Sequence, residues 1–216
     1  MKKVKVSPYF LIMLSFAAVI LIGALLLWLP FSTKSDLSRL SFIDALFIAT
    51  TSISGTGLSV VANPGMTFSV FGKIVIIILM EIGGLSFLTL ASFFVLLIGK
   101  RLKVGMSARH VLKESLGQDN VKGTLSLIKD IVITALIIQA FGVISIFLIL
   151  TFTEHDLYTF GERLLISIFH CESAFCTVGL DIFGNEKYLF GSMLGFRDNV
   201  LLKVITMMMK ICHFRR

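Results

Sequence analysis

A chain of 216 residues with 56% hydrophobic and 15% charged side chains and a mean hydropathy of +0.94 cannot bury its apolar surface as a water-soluble domain, where roughly 25% of residues are charged. The net charge of +7 is spread by segment and makes no basic face of the kind nucleic acid requires. No nucleophile elbow, phosphate loop or dinucleotide fingerprint is present, and no pair of titratable groups is placed to share chemistry, so an enzyme is not expected.

In chain order, Val6 to Ser32 carries no charge and is long enough for a spanning helix, which needs roughly 20 residues. Lys2, Lys3 and Lys5 precede it as they would in a signal peptide. The apolar stretch is too long for that, and no small-x-small site follows Trp28-Leu29-Pro30, so a retained helix with an interfacial Trp is expected. Leu40 to Ala49 predicts a short helix opened by a Ser cap, and a Thr/Ser/Gly stretch follows, Thr50 to Leu58. Phe71 to Ile98 predicts a second spanning helix, with Glu81 as the one charge after Lys73.

Residues 99–130 form a basic linker with an amphipathic piece near Met106–Leu116. Ile131 to Thr153 is charge-free and predicts a third spanning helix. Leu164 to Glu172 predicts another short helix, then Ser173 to Leu180 repeats the Thr/Gly character. A final apolar run from Val200 to Ile211 carries Lys203 and Lys210 and is shorter than a span requires. Lipid offers no hydrogen bonds, so every crossing run must satisfy its backbone as a helix. The fold class expected is an all-α membrane protein.

Basic residues orient the chain. With a cytoplasmic N-terminus, residues 1–8, 99–130 and 210–216 lie inside and carry 13 of the 20 Lys and Arg. Segments 31–73 and 153–199 lie outside and carry 6. A cytoplasmic excess of Lys and Arg sets topology, which predicts a multi-pass cell-membrane protein with its N-terminus in the cytoplasm.

The two outer segments repeat one another. With Gly57 placed on Gly179, an offset of 122, Leu46-Phe47 falls on Ile168-Phe169, Leu58 on Leu180, and Tyr9–Pro30 on Ile131–Phe152. Each unit reads as helix, short re-entrant helix, Gly-bearing extended segment, helix. Residues 1–98 make a first complete unit, and 131–216 a second whose last helix is incomplete. A non-helical backbone at membrane depth is tolerated only where it is buried in protein or lines a water-filled path. Its carbonyls can then replace the hydration shell of K⁺. The C-terminal end of each short helix would favour a cation there.

The residues now carry a resemblance. Thr177-Val178-Gly179 matches the start of the potassium-channel TVGYG strand. More of the text resembles the bacterial membrane subunit of the Trk/Ktr/HKT superfamily of potassium transporters: Ala49 to Leu58, Glu81-Ile82-Gly83-Gly84-Leu85-Ser86-Phe87, and Ser173 to Gly184. The resemblance implies filter carbonyls from Ser54, Gly55, Thr56 and Gly57 and from Cys176, Thr177, Val178 and Gly179, with K⁺ as the transported ion and no cofactor. It implies a cytosolic nucleotide-binding regulatory ring as partner, and a homo-oligomer is the other association left open.

It also implies four units around one pore. Met207 to Arg216 stands where the first unit has Glu81-Ile82-Gly83-Gly84-Leu85, so a truncated chain, unable to close a pore alone, is expected. The alternative function is a non-transporting scaffold or a remnant of such a transporter.

Other residues admit two readings. Gly83-Gly84 is either a hinge or a site of close helix packing, with packing preferred. Glu81 is functional or pairs with a basic residue. Asp44, Glu172 and Asp181 either concentrate cations at the mouth or are solvated or capping acids, the latter preferred for Asp44. Met207–Met209 is read as apolar filler. Cys171, Cys176 and Cys212 are expected as free thiols, and His110, His155, His170 and His213 suggest no metal site.

Overall fold

The computed structural model describes residues 8–34, 40–85, 121–153, 158–183 and 200–214. Among these, every regular element is helical: α1 Pro8–Trp28, a 3-10 turn Pro30–Ser32, α2 Phe42–Ser54, α3 Pro64–Thr67, α4 Val70–Gly84, α5 Val121–Thr153, α6 Phe160–Phe175 and α7 Val200–Phe214. One isolated antiparallel bridge joins Thr33 to Phe68. The basic stretch 99–120 and the later part of the expected Phe71–Ile98 helix lie outside the described residues.

Within α5, Lys129–Phe152 is long and apolar enough to cross a bilayer. Its exposed surface is a set of large apolar side chains, including Ile133, Ile137, Phe141, Ile144, Leu148 and Phe152, which a lipid solvent accommodates and water does not. The helix begins at Val121, ten residues before the charge-free run, and Lys129 within it is a long cation on the helix surface.

The chain divides into two compact units, residues 1–19 with 85–136, and residues 20–84 with 137–216. The described part of the first is mainly the start of α1 and the first half of α5, where Val132 and Ala135 are buried. The second unit holds both short helices and both Gly-bearing segments. Its core includes Phe68, Phe169, Phe175, Phe183, Ile48, Ile76 and Met80, each almost fully buried.

Each short helix starts with a reciprocal cap. The Ser41 hydroxyl accepts from the Asp44 N–H at 3.1 Å, and the Asp44 carboxylate accepts from the Ser41 N–H at 3.3 Å. Thr159 and Glu162 repeat the arrangement at 3.4 and 2.9 Å. Such boxes satisfy two otherwise orphaned donors, and each cap contributes about 1 kcal/mol. Asp44 is therefore a capping acid.

Both short helices run further toward their Gly-bearing segments than expected. Thr50–Ser54 and Ser173–Phe175 are helical, where an extended Thr/Ser/Gly stretch was anticipated. In α2 the hydroxyls explain this: Thr50 Oγ1 donates to the Leu46 carbonyl and Ser52 Oγ to the Ile48 carbonyl, both at 2.7 Å. They bond back into the helix instead of competing with it.

Candidate ion-coordinating site

The site begins where α2 and α6 end. Gly55 caps α2 in the left-handed region, its N–H donating to the Thr51 carbonyl. Gly57 is left-handed again, at φ 69°. In the second segment Cys176 caps α6, and Thr177 and Gly179 are left-handed at φ 58° and 82°. These four are the positive-φ residues among those described. They form two pairs, Gly55 with Thr177 and Gly57 with Gly179, each separated by the offset of 122 that the sequence repeat uses. Thr177 is the one non-glycine of the set, a conformation that costs a residue with a Cβ about 1–2 kcal/mol.

Matching hydroxyls brace the two segments. Thr51 Oγ1 accepts from the Leu58 N–H at 2.9 Å and pairs with Thr56 Oγ1 at 2.6 Å. Ser173, 122 residues on, donates through Oγ to the Leu180 carbonyl at 2.8 Å. Its own carbonyl accepts from the N–H groups of Val178 and Gly179 at 2.9 and 3.3 Å. The same position thus ties down the same leucine in both segments, once through its N–H and once through its C=O.

The segments lie side by side. A side chain on Gly55 would touch the Cys176 carbonyl, and one on Gly57 would run into the Val178 carbonyl. No described residue donates a hydrogen bond to a carbonyl of Ser54, Gly55, Thr56, Gly57, Cys176, Thr177, Val178 or Gly179. Cys176 and Val178 are buried, and a buried carbonyl without a donor among the described residues is uncommon.

The inner helix α4 packs directly beneath. Gly83 lies against the Ile53 carbonyl and Gly84 against the Cys176 side chain, too close for any Cβ. The pair serves close packing against both segments, as preferred from the sequence. Around this contact α4, α5 and α6 contribute one buried polar cluster. Gln139 Nε2 donates to Glu81 Oε2 at 2.7 Å and to Glu172 Oε2 at 3.2 Å, and Cys176 Sγ lies 3.4 Å from the same Glu172 oxygen.

Among the described residues Glu81 has an amide partner, Gln139. Glu172 is 8% exposed, so it is neither at the mouth nor solvated. The side-chain atoms of Glu81, Glu172 and Cys176 lie within 4.8 Å of one another, close enough to share a cation. The Gln139 amide already points its hydrogens into that space, and what it makes is a closed hydrogen-bond network. Asp181 accepts from the Phe183 N–H at 2.9 Å and faces His170 at 3.2 Å.

Two further expectations concern the thiols and the methionine run. Cys171, Cys176 and Cys212 are free thiols. Met207 and Met208 are exposed while Met209 is buried, an apolar surface. Gln139 carried no signal in the sequence: it sits in a charge-free run as an isolated amide, and only its burial, at 6% exposure, marks it as partnered.

All-helical elements among the described residues, with one apolar helix of spanning length at Lys129–Phe152, are consistent with an all-α membrane protein. The chain belongs to the TrkH cation transport protein family, whose sequence pattern matches residues 6–212, a transport family and not an enzyme family. It is 37% identical over 181 residues to the Ktr system potassium uptake protein B of Bacillus subtilis, covering 84% of this chain and 38% of that protein. It is 34% identical over 201 residues to the potassium/sodium uptake protein NtpJ of Enterococcus hirae, covering 93% and 42%. The Ktr system potassium uptake protein B of Vibrio alginolyticus is 37% identical over 180 residues, covering 83% and 37%. The chain spans about two fifths of the length of these relatives.

Proposed function

We propose that this chain supplies part of a potassium-conducting pore for K⁺ uptake, with Ser54–Gly57 and Cys176–Gly179 as two filter segments on re-entrant loops. The observation that carries the reading is the pairing of left-handed positions, Gly55 with Thr177 and Gly57 with Gly179, in segments whose carbonyls take no hydrogen bond from the described residues. A left-handed residue at every second position lets successive carbonyls turn to one side, and carbonyls so turned can stand in for water around K⁺. The potassium uptake named for the relatives supports the choice of ion.

In this reading the N-terminus is cytoplasmic, residues 1–98 and 131–216 are two pore-loop units, and α2 and α6 aim their negative C-terminal ends at the ion. Two segments surround half of an ion's shell, so two further units complete the ring. The basic linker 99–130 is the segment available to a cytosolic regulatory subunit; the relatives' names, which assign them to a Ktr system, support such a partner.

The test is a chimera in which the matched residues replace their counterparts in the Bacillus subtilis relative, placed in a potassium-uptake-deficient bacterium. Growth at limiting K⁺ supports the reading. An inserted, well-expressed chimera that gives no K⁺-dependent growth contradicts it.

A further inference from the structure

The segment after Gly179 is held in a way that its counterpart after Gly57 is not. Leu180 and Ile182 are 4 and 1% exposed, whereas Leu58 and Val60, their equivalents at the offset of 122, are 62 and 47% exposed.

His170, itself 2% exposed, lies at the centre of the difference. Its Nδ1 meets the Ile166 carbonyl at 2.9 Å and its Nε2 meets Asp181 Oδ1 at 3.2 Å. The Ile182 N–H also approaches Nε2, at 3.5 Å, so the ring ties α6 to both Asp181 and Ile182 of the exit segment. The ring stacks on Phe183 with centroids 3.9 Å apart. Asp181 Oδ1 also accepts from the Phe183 N–H at 2.9 Å, and the Tyr158 hydroxyl donates to the Phe183 carbonyl at 2.8 Å. In the first segment the same offset places Ile48 and Ser59, which cannot make such a pair. Among the described residues Gly179 has no neighbour within 4 Å of where its Cβ would stand. Side packing does not fix its left-handed backbone, so the segment is held from its two ends, by Ser173 before it and by the His170–Asp181 clamp after it.

We propose that His170 is a positioning residue for the second filter segment, setting the geometry of Cys176–Gly179 by locking its exit through Asp181 and Phe183. This rests on the filter reading above. The first segment, lacking the clamp, takes its shape from contact with the second.

The test uses the chimera with the Bacillus subtilis relative described above, which supplies the remaining units of the pore, in lipid nanodiscs, with backbone hydrogen exchange read at residues 176–183 in K⁺ and in Na⁺. His170→Phe keeps an aromatic ring and removes both polar nitrogens, and His170→Gln restores a polar group toward Asp181. His170→Phe should speed exchange at Leu180–Phe183 about tenfold or more, the factor expected from one lost charge-assisted hydrogen bond. It should also erase the difference between K⁺ and Na⁺ at Cys176–Gly179, while α6 stays protected. His170→Gln should recover both. If His170→Phe leaves the K⁺-over-Na⁺ difference of the unsubstituted chain intact, or if Gln fails as Phe does, the positioning role is overturned and the filter reading stands. If the unsubstituted chain shows no K⁺-over-Na⁺ difference, the filter reading falls and the proposal with it.

Discussion

Gly57 lies against the Val178 carbonyl, in a left-handed conformation, with no room for a Cβ between them. Gly179, its partner in the repeat, is equally left-handed but open on its Cβ side. The two glycines are constrained for different reasons, and the difference is measurable.

Gly179→Ala meets only backbone strain, about 1–2 kcal/mol. Gly57→Ala meets that strain and a collision with backbone that has no flexible end to move aside. In purified protein, Gly57→Ala should lower the thermal midpoint clearly more than Gly179→Ala. Equal losses would mean that the two segments are not in contact through Gly57.

The cluster beneath the segments gives a second expectation. Gln139 supplies the donors that Glu81 and Glu172 share. Gln139→Leu leaves two close carboxylates without them, and should destabilise the protein by on the order of 3 kcal/mol, since buried charged groups pay most when unpartnered. Adding Glu172→Leu to that variant should recover part of the loss, read as a rise in thermal midpoint. A Gln139→Leu variant as stable as the parent would contradict the network.

Much of this architecture was legible in the residues, for physical reasons that also explain the gaps. Charge-free runs announce helices in lipid, and Gly57 and Gly179 stand out because few other residues suit a left-handed backbone. Thr177 broke that rule: its left-handed geometry has no glycine to signal it. The end of α2 is helical where its residues suggest a loop, because a hydroxyl in sequence looks like a loop residue until its back-bond is seen, while at the end of α6 the Ser173 hydroxyl turns forward to the Leu180 carbonyl. Partners such as Glu81 with Gln139, or His170 with Asp181, join positions far apart in sequence, and no local periodicity encodes them.

The cap of α6 carries a pH dependence. The Thr159 backbone N–H, followed by weaker contributions that include the Thr159 hydroxyl, holds the Glu162 carboxyl below its ordinary value. A depressed carboxylate contributes stability that is present above the unfolded value, about 4.3, and is lost as pH falls through the folded one. The thermal midpoint should therefore drop as pH is lowered through the acid range below about 4.3, and Glu162→Ala should flatten that drop. An identical acid profile in the variant would remove Glu162 as a contributor.

Topology is open to labelling. The basic asymmetry predicts that a cysteine at Ser35 reacts with an impermeant thiol reagent added to intact cells and that one at Ser107 does not. Reaction at Ser107 from outside would reverse the orientation.

The central claim, that the carbonyls of Ser54–Gly57 and Cys176–Gly179 coordinate the transported ion, is tested most directly by anomalous diffraction from crystals of the pore grown in Rb⁺, a scattering substitute for K⁺. The account predicts an anomalous peak within coordination distance of the Gly57 and Gly179 carbonyls that is lost when Na⁺ replaces Rb⁺. Rb⁺ density elsewhere, with none at these carbonyls, would contradict it.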